Sequence, residues 1–232
     1  MPLKNRVAVI SGATGATGGL AARALAEQGA SLALLSNDRQ KLDALAADLK
    51  LPPERMLTLA VDLSDRKAVF EAAKTVNARF GWADILLHLV GGWTGGKTII
   101  ETPVEELENM LNQHLWTTFH LTQAFLPHLI RNGWGRVIII SSPVAVKPPA
   151  KLGAYAIGKA AEETLLLTIA KEAKEKGVTA NIIQVRSIDV KAEGTGTTPD
   201  EIVAAILYLC SEDAAKINGV RVPLFGSAKY PI

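Results

Sequence analysis

Residues 11 to 19 read Ser11-Gly12-Ala13-Thr14-Gly15-Ala16-Thr17-Gly18-Gly19. The apolar run Val7-Ala8-Val9-Ile10 leads into this stretch, and a run of helical period, Leu20-Ala21-Ala22-Arg23-Ala24-Leu25, leads out of it. At such a junction the backbone can come within hydrogen-bonding distance of a pyrophosphate, and the following helix aims its free N–H groups at the anion. The competing explanation is a tight turn that lets strand and helix pack closely. The placement between a first strand and a first helix favours a bound dinucleotide and an α/β fold. On that reading a side chain at Gly18 would stand between the backbone and the pyrophosphate.

The same rhythm continues outward. Short apolar runs predict strands at 6–10, 31–36, 56–60, 85–90, 136–141, 179–185 and 220–224, and helical periodicity predicts helices at 17–28, 39–49, 65–79, 104–131, 153–176 and 199–210. This alternation is that of βαβ units in a doubly wound, Rossmann-type domain: a mostly parallel, seven-stranded sheet with helices on both faces, covering 1–232 without a linker. Two stretches break the rhythm, 91–97 and 188–199, and both follow a strand. Ligands of open α/β sheets bind beyond the carboxyl ends of the strands, so these loops are the natural lips of a site.

Composition narrows the function. The 232 residues are 48% hydrophobic and 21% charged, enough for a substantial core and too balanced for disorder. With 25 basic and 23 acidic side chains the net charge is +2, which gives no basic field for nucleic acid. The lone Cys210 can build neither an internal disulfide nor a thiolate metal site, and fits a reducing compartment. The N-terminus carries no signal-peptide core, and no apolar run reaches the roughly 18 residues of a membrane span. A cytoplasmic protein is expected, without membrane or nucleic-acid partners. His114, His120 and His128 are spaced by six and eight on one helical segment and His88 stands apart, so no metal is expected. Trp93, on the first of the two loops, could meet an apolar substrate.

Tyr155 and Lys159 lie four apart, on one face of a helix. A phenol, which ordinarily ionises near pH 10, becomes a useful acid when a nearby ammonium group stabilises the phenolate. Ser142, at the end of the fifth strand, could hold a substrate oxygen beside it.

The order and spacing of the glycine turn, Asp62, Ser142, Tyr155 and Lys159 resemble the short-chain dehydrogenase/reductase family, over residue 5 to about 226. The resemblance implies an oxidoreductase that moves a hydride between a nicotinamide cofactor and a carbonyl compound or secondary alcohol. Tyr155 would exchange the proton, Ser142 would orient the substrate oxygen, and Lys159 would also bind the nicotinamide ribose. Gly12, Thr14, Gly15, Ala16, Thr17 and Gly18 would hold the pyrophosphate. Ser36, Asn37 and Arg39 would surround the adenine ribose, Asp62 would touch the adenine, and Leu63, with Val90 and Gly91 after the fourth strand, would also bind the cofactor. A homodimer or homotetramer is implied as well. Position 36 is serine, where an acid would reject a 2′-phosphate. Asn37 replaces the phosphate-reading arginine, Arg39 could supply that charge, and Asp38 could still turn inward; the balance leans to NADP(H) over NAD(H).

The chain also departs from the family pattern. His88-Leu89-Val90-Gly91 stands where N-N-A-G is usual, and Val185-Arg186 where P-G follows the sixth strand. The substrate loop, near 187–199, is shortened. His114 occupies the place of a fourth catalytic residue, normally asparagine, that holds a relay water. An imidazole there would titrate, so turnover is expected to fall below about pH 6 through this group. The rival reading is a nucleotide-binding or scaffold protein of the same fold with little or no turnover.

Overall fold

Runs rich in Val, Ile, Leu and Ala and buried on both faces build the five inner strands, while the two edge strands are half-buried to exposed. In the computed structural model, which describes residues 2–225, these are β1 (Val7–Ser11), β2 (Ser31–Ser36), β3 (Met56–Ala60), β4 (Ile85–His88), β5 (Gly135–Ser141), β6 (Val178–Gln184) and β7 (Arg221–Pro223). They form one sheet in the order β3-β2-β1-β4-β5-β6-β7, and every neighbouring pair is parallel. The expected doubly wound α/β sheet is the observed one. Met1 and residues 226–232, which the reading of one domain over 1–232 includes, lie outside the described residues.

Alternate strand residues serve two cores. Ala8, Ile10, Leu32 and Leu34 pack under α1 (Ala16–Glu27), α2 (Arg39–Leu49) and α7 (Pro199–Cys210). On the opposite face Val9, Ala33, Leu35 and Ile139 pack under α3 (Arg66–Phe80), α5 (Thr117–Arg131) and α6 (Gly153–Glu172). The order reverses at β1, which has β2 on one side and β4 on the other. The chain leaves these neighbours in opposite directions, and a crevice opens between their carboxyl ends.

Two helices differ from their expected extents, and the expected loop after β6 takes a specific fold. The helix predicted over 104–131 is α4 (Val104–Leu111), a π-helical turn over Asn112–Trp116, and then α5. The widened turn carries His114, and such turns often mark functional sites. Helix α6 stops short of 176, giving way to a 3₁₀ turn over Lys174–Lys176 closed by Gly177 at φ 73°. The loop after β6 folds back on the buried Asp189, whose carboxylate accepts the N–H groups of Glu193, Gly194 and Thr195 at 2.7–3.0 Å. These bonds lower its pKa, and Thr198 and Glu201 then start α7 with a reciprocal capping box.

Gly18 corrects one reading of the glycine turn. It is buried within α1, and a Cβ there would lie 2.1 Å from the Gly12 carbonyl oxygen and 2.8 Å from the Ala13 Cα. Its missing side chain lets helix and turn touch backbone to backbone; it does not clear room for a pyrophosphate. Gly18→Ala should therefore lower the unfolding free energy by about 1–3 kcal/mol, the usual cost of overpacking. Urea unfolding checks this, and Gly81→Ala, where no atom lies within 4 Å but φ is +84°, separates overpacking from backbone strain.

Candidate active site

Helix α1 begins with two kinds of unsatisfied donor. Its N-cap, Gly15, offers no side-chain acceptor, and Thr17 Oγ1 is buried without a hydrogen-bond partner. Gly12 turns the chain at φ +72°, so close to β4 that a Cβ would meet the Leu89 carbonyl at 3.0 Å. Beside this turn lies a cavity of about 490 Å³. Of the residues read as cofactor-binding, Gly12, Thr14, Gly15, Ser36, Asn37, Asp62, Leu63, Val90 and Gly91 all line it. A second cavity, of about 400 Å³, is lined by Thr17, His114, Tyr155 and Lys159. Leu89, Val90 and Gly91 line both. The two spaces therefore flank one segment at the sheet's reversal, and the donors of α1 stand at their junction. That arrangement fits an elongated ligand with an anionic middle.

Other expected residues lie elsewhere. Ala16 and Gly18 are in neither lining. Arg39 is turned toward Asp43, at 3.7 Å, and Thr58, at 3.4 Å, because α2 places Asp43 one turn along its own face. Asp38 does not turn inward: it caps α2 by accepting the Lys41 N–H at 3.0 Å, which lowers its pKa. Asp62 reaches the first cavity while accepting from the Ser64 hydroxyl and N–H at 2.7 and 2.9 Å, and these bonds hold its carboxyl below the usual range. Ser36 and Thr14 bond to each other at 2.7 Å, joining the end of β2 to the glycine turn.

The second cavity holds a buried polar cluster. Tyr155 meets the His114 ring edge-on at 5.6 Å between centroids. Lys159 Nζ donates to the Ile140 carbonyl and to Glu162 Oε2, both at 2.8 Å. Glu162 is fully buried; desolvation raises its pKa, and the ammonium of Lys159 opposes that rise. His114 Nε2 lies 3.1 Å from the Gly92 carbonyl, an acceptor only, so this nitrogen carries the proton. Its Nδ1 is then an acceptor, buried without a hydrogen-bond partner and 3.8 Å from Glu162 Oε2.

His88, in the altered fourth-strand motif, is bonded on both ring nitrogens. A consistent proton assignment has Ser11 Oγ donating to Nδ1 at 2.7 Å and Nε2–H donating to Thr117 Oγ1 at 3.1 Å. Thr117 in turn donates to the Gln113 carbonyl. One imidazole thus ties β4 to β1 and to the π turn that carries His114.

The serine pair is split. Ser142 caps the 3₁₀ turn Pro143–Ala145 and lines a third cavity, of about 720 Å³, rather than the one that holds Tyr155. Ser141, which the sequence reading passed over, lines the Tyr155 cavity, and its hydroxyl is buried without a partner. Successive residues of an extended chain face opposite ways, so a tandem of serines at a strand end supplies one to each side. Arg186 lines both cavities, which places Ser142 next door to Tyr155. Glu162 was also passed over, although it stands three residues after Lys159 and seven after Tyr155 on one helical stripe. Trp93 lies on the rim of the Tyr155 cavity, as its loop position predicts.

The sequence pattern of the short chain dehydrogenases matches residues 6–199. The chain belongs to that family. An uncharacterized oxidoreductase of Staphylococcus epidermidis is 29% identical over 228 residues, covering 95% of this chain and 97% of its own. The D-beta-hydroxybutyrate dehydrogenase of Rhizobium meliloti is 29% identical, with 95% and 97% covered. Among solved structures, an NAD+-bound xylitol dehydrogenase superposes with a TM-score of 0.88 at 22% identity, over 98% of this chain and all of its own. Membership in this dehydrogenase family, with dehydrogenase relatives over nearly the full length, supports an enzyme of nicotinamide-dependent redox chemistry. Among the described residues no helix is long and apolar enough to cross a membrane.

The buried imidazoles overturn the expected acid limb near pH 6. Desolvation, first, and the charge of Lys159, second, push both His88 and His114 down to about 3. In the folded protein they are neutral throughout the neutral and mildly acidic range. Unfolding returns them to their ordinary value of 6.5, so between 6.5 and about 3 the unfolded chain binds more protons and stability falls as pH falls. His114→Asn should flatten the slope of unfolding free energy against pH between pH 6 and 5 by up to about 1.4 kcal/mol per unit. Urea unfolding at stepped pH measures it.

Proposed function

We propose that this short-chain dehydrogenase interconverts a carbonyl compound and a secondary alcohol, with Tyr155 as the group that exchanges the proton. The observation that carries this is the meeting of Tyr155, Lys159 and His114 in one cavity that adjoins the glycine turn across Leu89–Gly91. Gly12, Gly15 and the first turn of α1 would hold the pyrophosphate of a dinucleotide, Ser36, Asn37 and Asp62 its adenosine half, and Lys159 the nicotinamide ribose. The nicotinamide ring would supply or accept the hydride. Tyr155 would give its phenolic proton to the carbonyl oxygen in reduction and take it back in oxidation. Lys159, held by Ile140 and Glu162, would keep a positive charge at the phenol's side of the cavity. Ser141 or Ser142 would orient the oxygen from opposite sides of the end of β5. His114, neutral, would offer Nδ1 as a fixed acceptor.

Ser36 leaves room for a 2′-phosphate and Asp38 is occupied in capping, which favours NADP(H); Arg39, turned away, adds nothing to that preference. The half-exposed to exposed Val104, Trp116 and Ile157, on α4, the π turn and α6, mark the face for self-association, and the buried Cys210 suits a reducing cytoplasm. The rival reading, a nucleotide-binding scaffold with little turnover, draws on one observation: Lys159 is paired with Glu162, so its charge in the cavity it shares with Tyr155 is partly offset.

Carbonyl compounds screened with NADPH and NADH test the choice. The native protein should oxidise a reduced dinucleotide with at least one of them, and Tyr155→Phe should keep dinucleotide affinity while losing about 10²–10⁴-fold in turnover. A variant that retains most of the activity, or a native protein that binds dinucleotide and reduces nothing, would hand the case to the scaffold.

A further inference from the structure

Helix α6 carries a lysine and a glutamate three residues apart, and both are buried: Lys159 is 5% exposed and Glu162 not at all. Residues at that spacing are neighbours on a helix, and Lys159 Nζ reaches Glu162 Oε2 at 2.8 Å. Thr118 of α5 backs the carboxylate from the other side. Its hydroxyl, which donates to the His114 carbonyl at 2.5 Å, lies 3.3 Å from Oε1. Neither the acid–base role of Tyr155 nor the glycine turn requires an acid at 162, and an apolar side chain would fill the same volume. The neighbours of the pair add little charge. His114 on the π turn and His88 on β4 are neutral, pushed down to about 3 by burial and by Lys159, and Glu163 is engaged by Arg221 of β7 and by Gln184.

Lys159 lines the Tyr155 cavity, whereas Glu162 does not. The carboxylate therefore stands behind the ammonium, and a ligand feels it through the charge it cancels. That cancellation matters for the group the cavity would receive. An oxidised nicotinamide ring is cationic, and the hydride that reduces it removes the charge. An uncompensated ammonium on the wall would repel the oxidised ring and be indifferent to the reduced one, and a buried position strengthens the difference over its value in water. Lys159 also has three N–H donors, of which the Ile140 carbonyl and Glu162 take two. One is left for a ribose hydroxyl, with the charge that accompanies it already offset.

We infer that Glu162 is a positioning residue of the proposed oxidoreductase: its buried carboxylate holds and neutralises Lys159, and so raises the affinity of the Tyr155 cavity for the oxidised, cationic nicotinamide relative to the reduced, neutral one. This rests on the reading of that cavity as the place of the nicotinamide. Glu162 acts only through Lys159, and what it sets is the redox potential of the bound dinucleotide. Arg186, the other charged residue of the lining, is the same in every variant below and cancels from the comparison.

Binding tests this apart from turnover. NADP+, NADPH, NAD+ and NADH are each titrated calorimetrically into the native protein and into variants whose fold is checked by circular dichroism. Glu162→Gln keeps the shape and an acceptor but loses the charge. It should raise the ratio of oxidised to reduced dissociation constants by about tenfold, equal to about 30 mV in the potential of the bound two-electron couple. Glu162→Asp keeps the charge and should stay near the native ratio. Lys159→Met combined with Glu162→Gln removes both charges of the pair; it should weaken both forms and keep the native ratio, and it decides the matter where the single variant does not fold. An unchanged ratio in Glu162→Gln overturns the inference, and so does an equal rise in Glu162→Asp, which would make packing the cause. A double variant that favours the oxidised form by about tenfold also overturns it, since the ammonium would then have faced the ring without an offset. Failure of the native protein to bind any of the four overturns it together with the cofactor reading. If the ratio follows the charge but Tyr155→Phe keeps its turnover, the inference stands and the catalytic reading of Tyr155 falls.

Discussion

Contact between Gly18 of α1 and the carbonyl of Gly12 sets the position of everything at the carboxyl edge of the sheet. With no Cβ between them, the helix lies directly on the turn, its first N–H groups stand over the crevice at β1, and Gly12 is pressed against the exit of β4. Both cavities are lined by Leu89–Gly91, the segment against which Gly12 is pressed. A larger residue at 18 would move the helix start, and with it the donors of α1, away from the place where an anion can lie against them. Packing and ligand geometry are one constraint here, and the bland reading of the glycine turn is part of the functional one.

A second constraint comes from the polar groups buried behind the turn. His88, His114, Lys159 and Glu162 are all withdrawn from water, and such groups are costly unless each finds a partner. His88 is satisfied on both nitrogens, and Lys159 by a carbonyl and a carboxylate. His114 is satisfied on one nitrogen and leaves Nδ1 facing Glu162 without a hydrogen. The unmet acceptor and the unmet hydroxyls of Thr17 and Ser141 belong to three residues that line a single cavity. Three orphaned polar atoms in one place, in a protein whose other buried polar groups are mostly paired, are what a site awaiting polar ligand atoms requires.

How far these features were legible in the sequence depends on their range. Strands β2 and β3 and helices α2 and α7 fall where alternation, caps and breakers put them, because those signals are local. Nine of the fifteen residues that line the first cavity were readable because they follow strand ends, whereas Asn112, Gln113 and Thr117 reach it from the π turn and the start of α5. The π turn at 112–116 was not: widening one turn leaves the apolar spacing of a long helix nearly unchanged, and only the packing of His114 under Gly91 and Gly92 shows it. Arg39 was misplaced because its partner, Asp43, competes from the same helix face. The titration of His114 was misjudged because burial, which outweighs the neighbouring charge, has no signature in the local sequence. Glu162 carried a visible spacing signal that went unread.

On the proposed function, an elongated dinucleotide lies across the reversal of strand order, with its anionic middle on α1 and its two halves on either side of Leu89–Gly91. Amide hydrogen exchange resolved by peptide, with and without saturating reduced dinucleotide, addresses it directly. Slowed exchange is expected in 11–17 and 89–92 together, with 36–37 and 62–64 following from the adenosine half, and little change at the opposite edge of the sheet. Protection confined to other segments, or a saturated dinucleotide that leaves 11–17 exchanging as before, would contradict it.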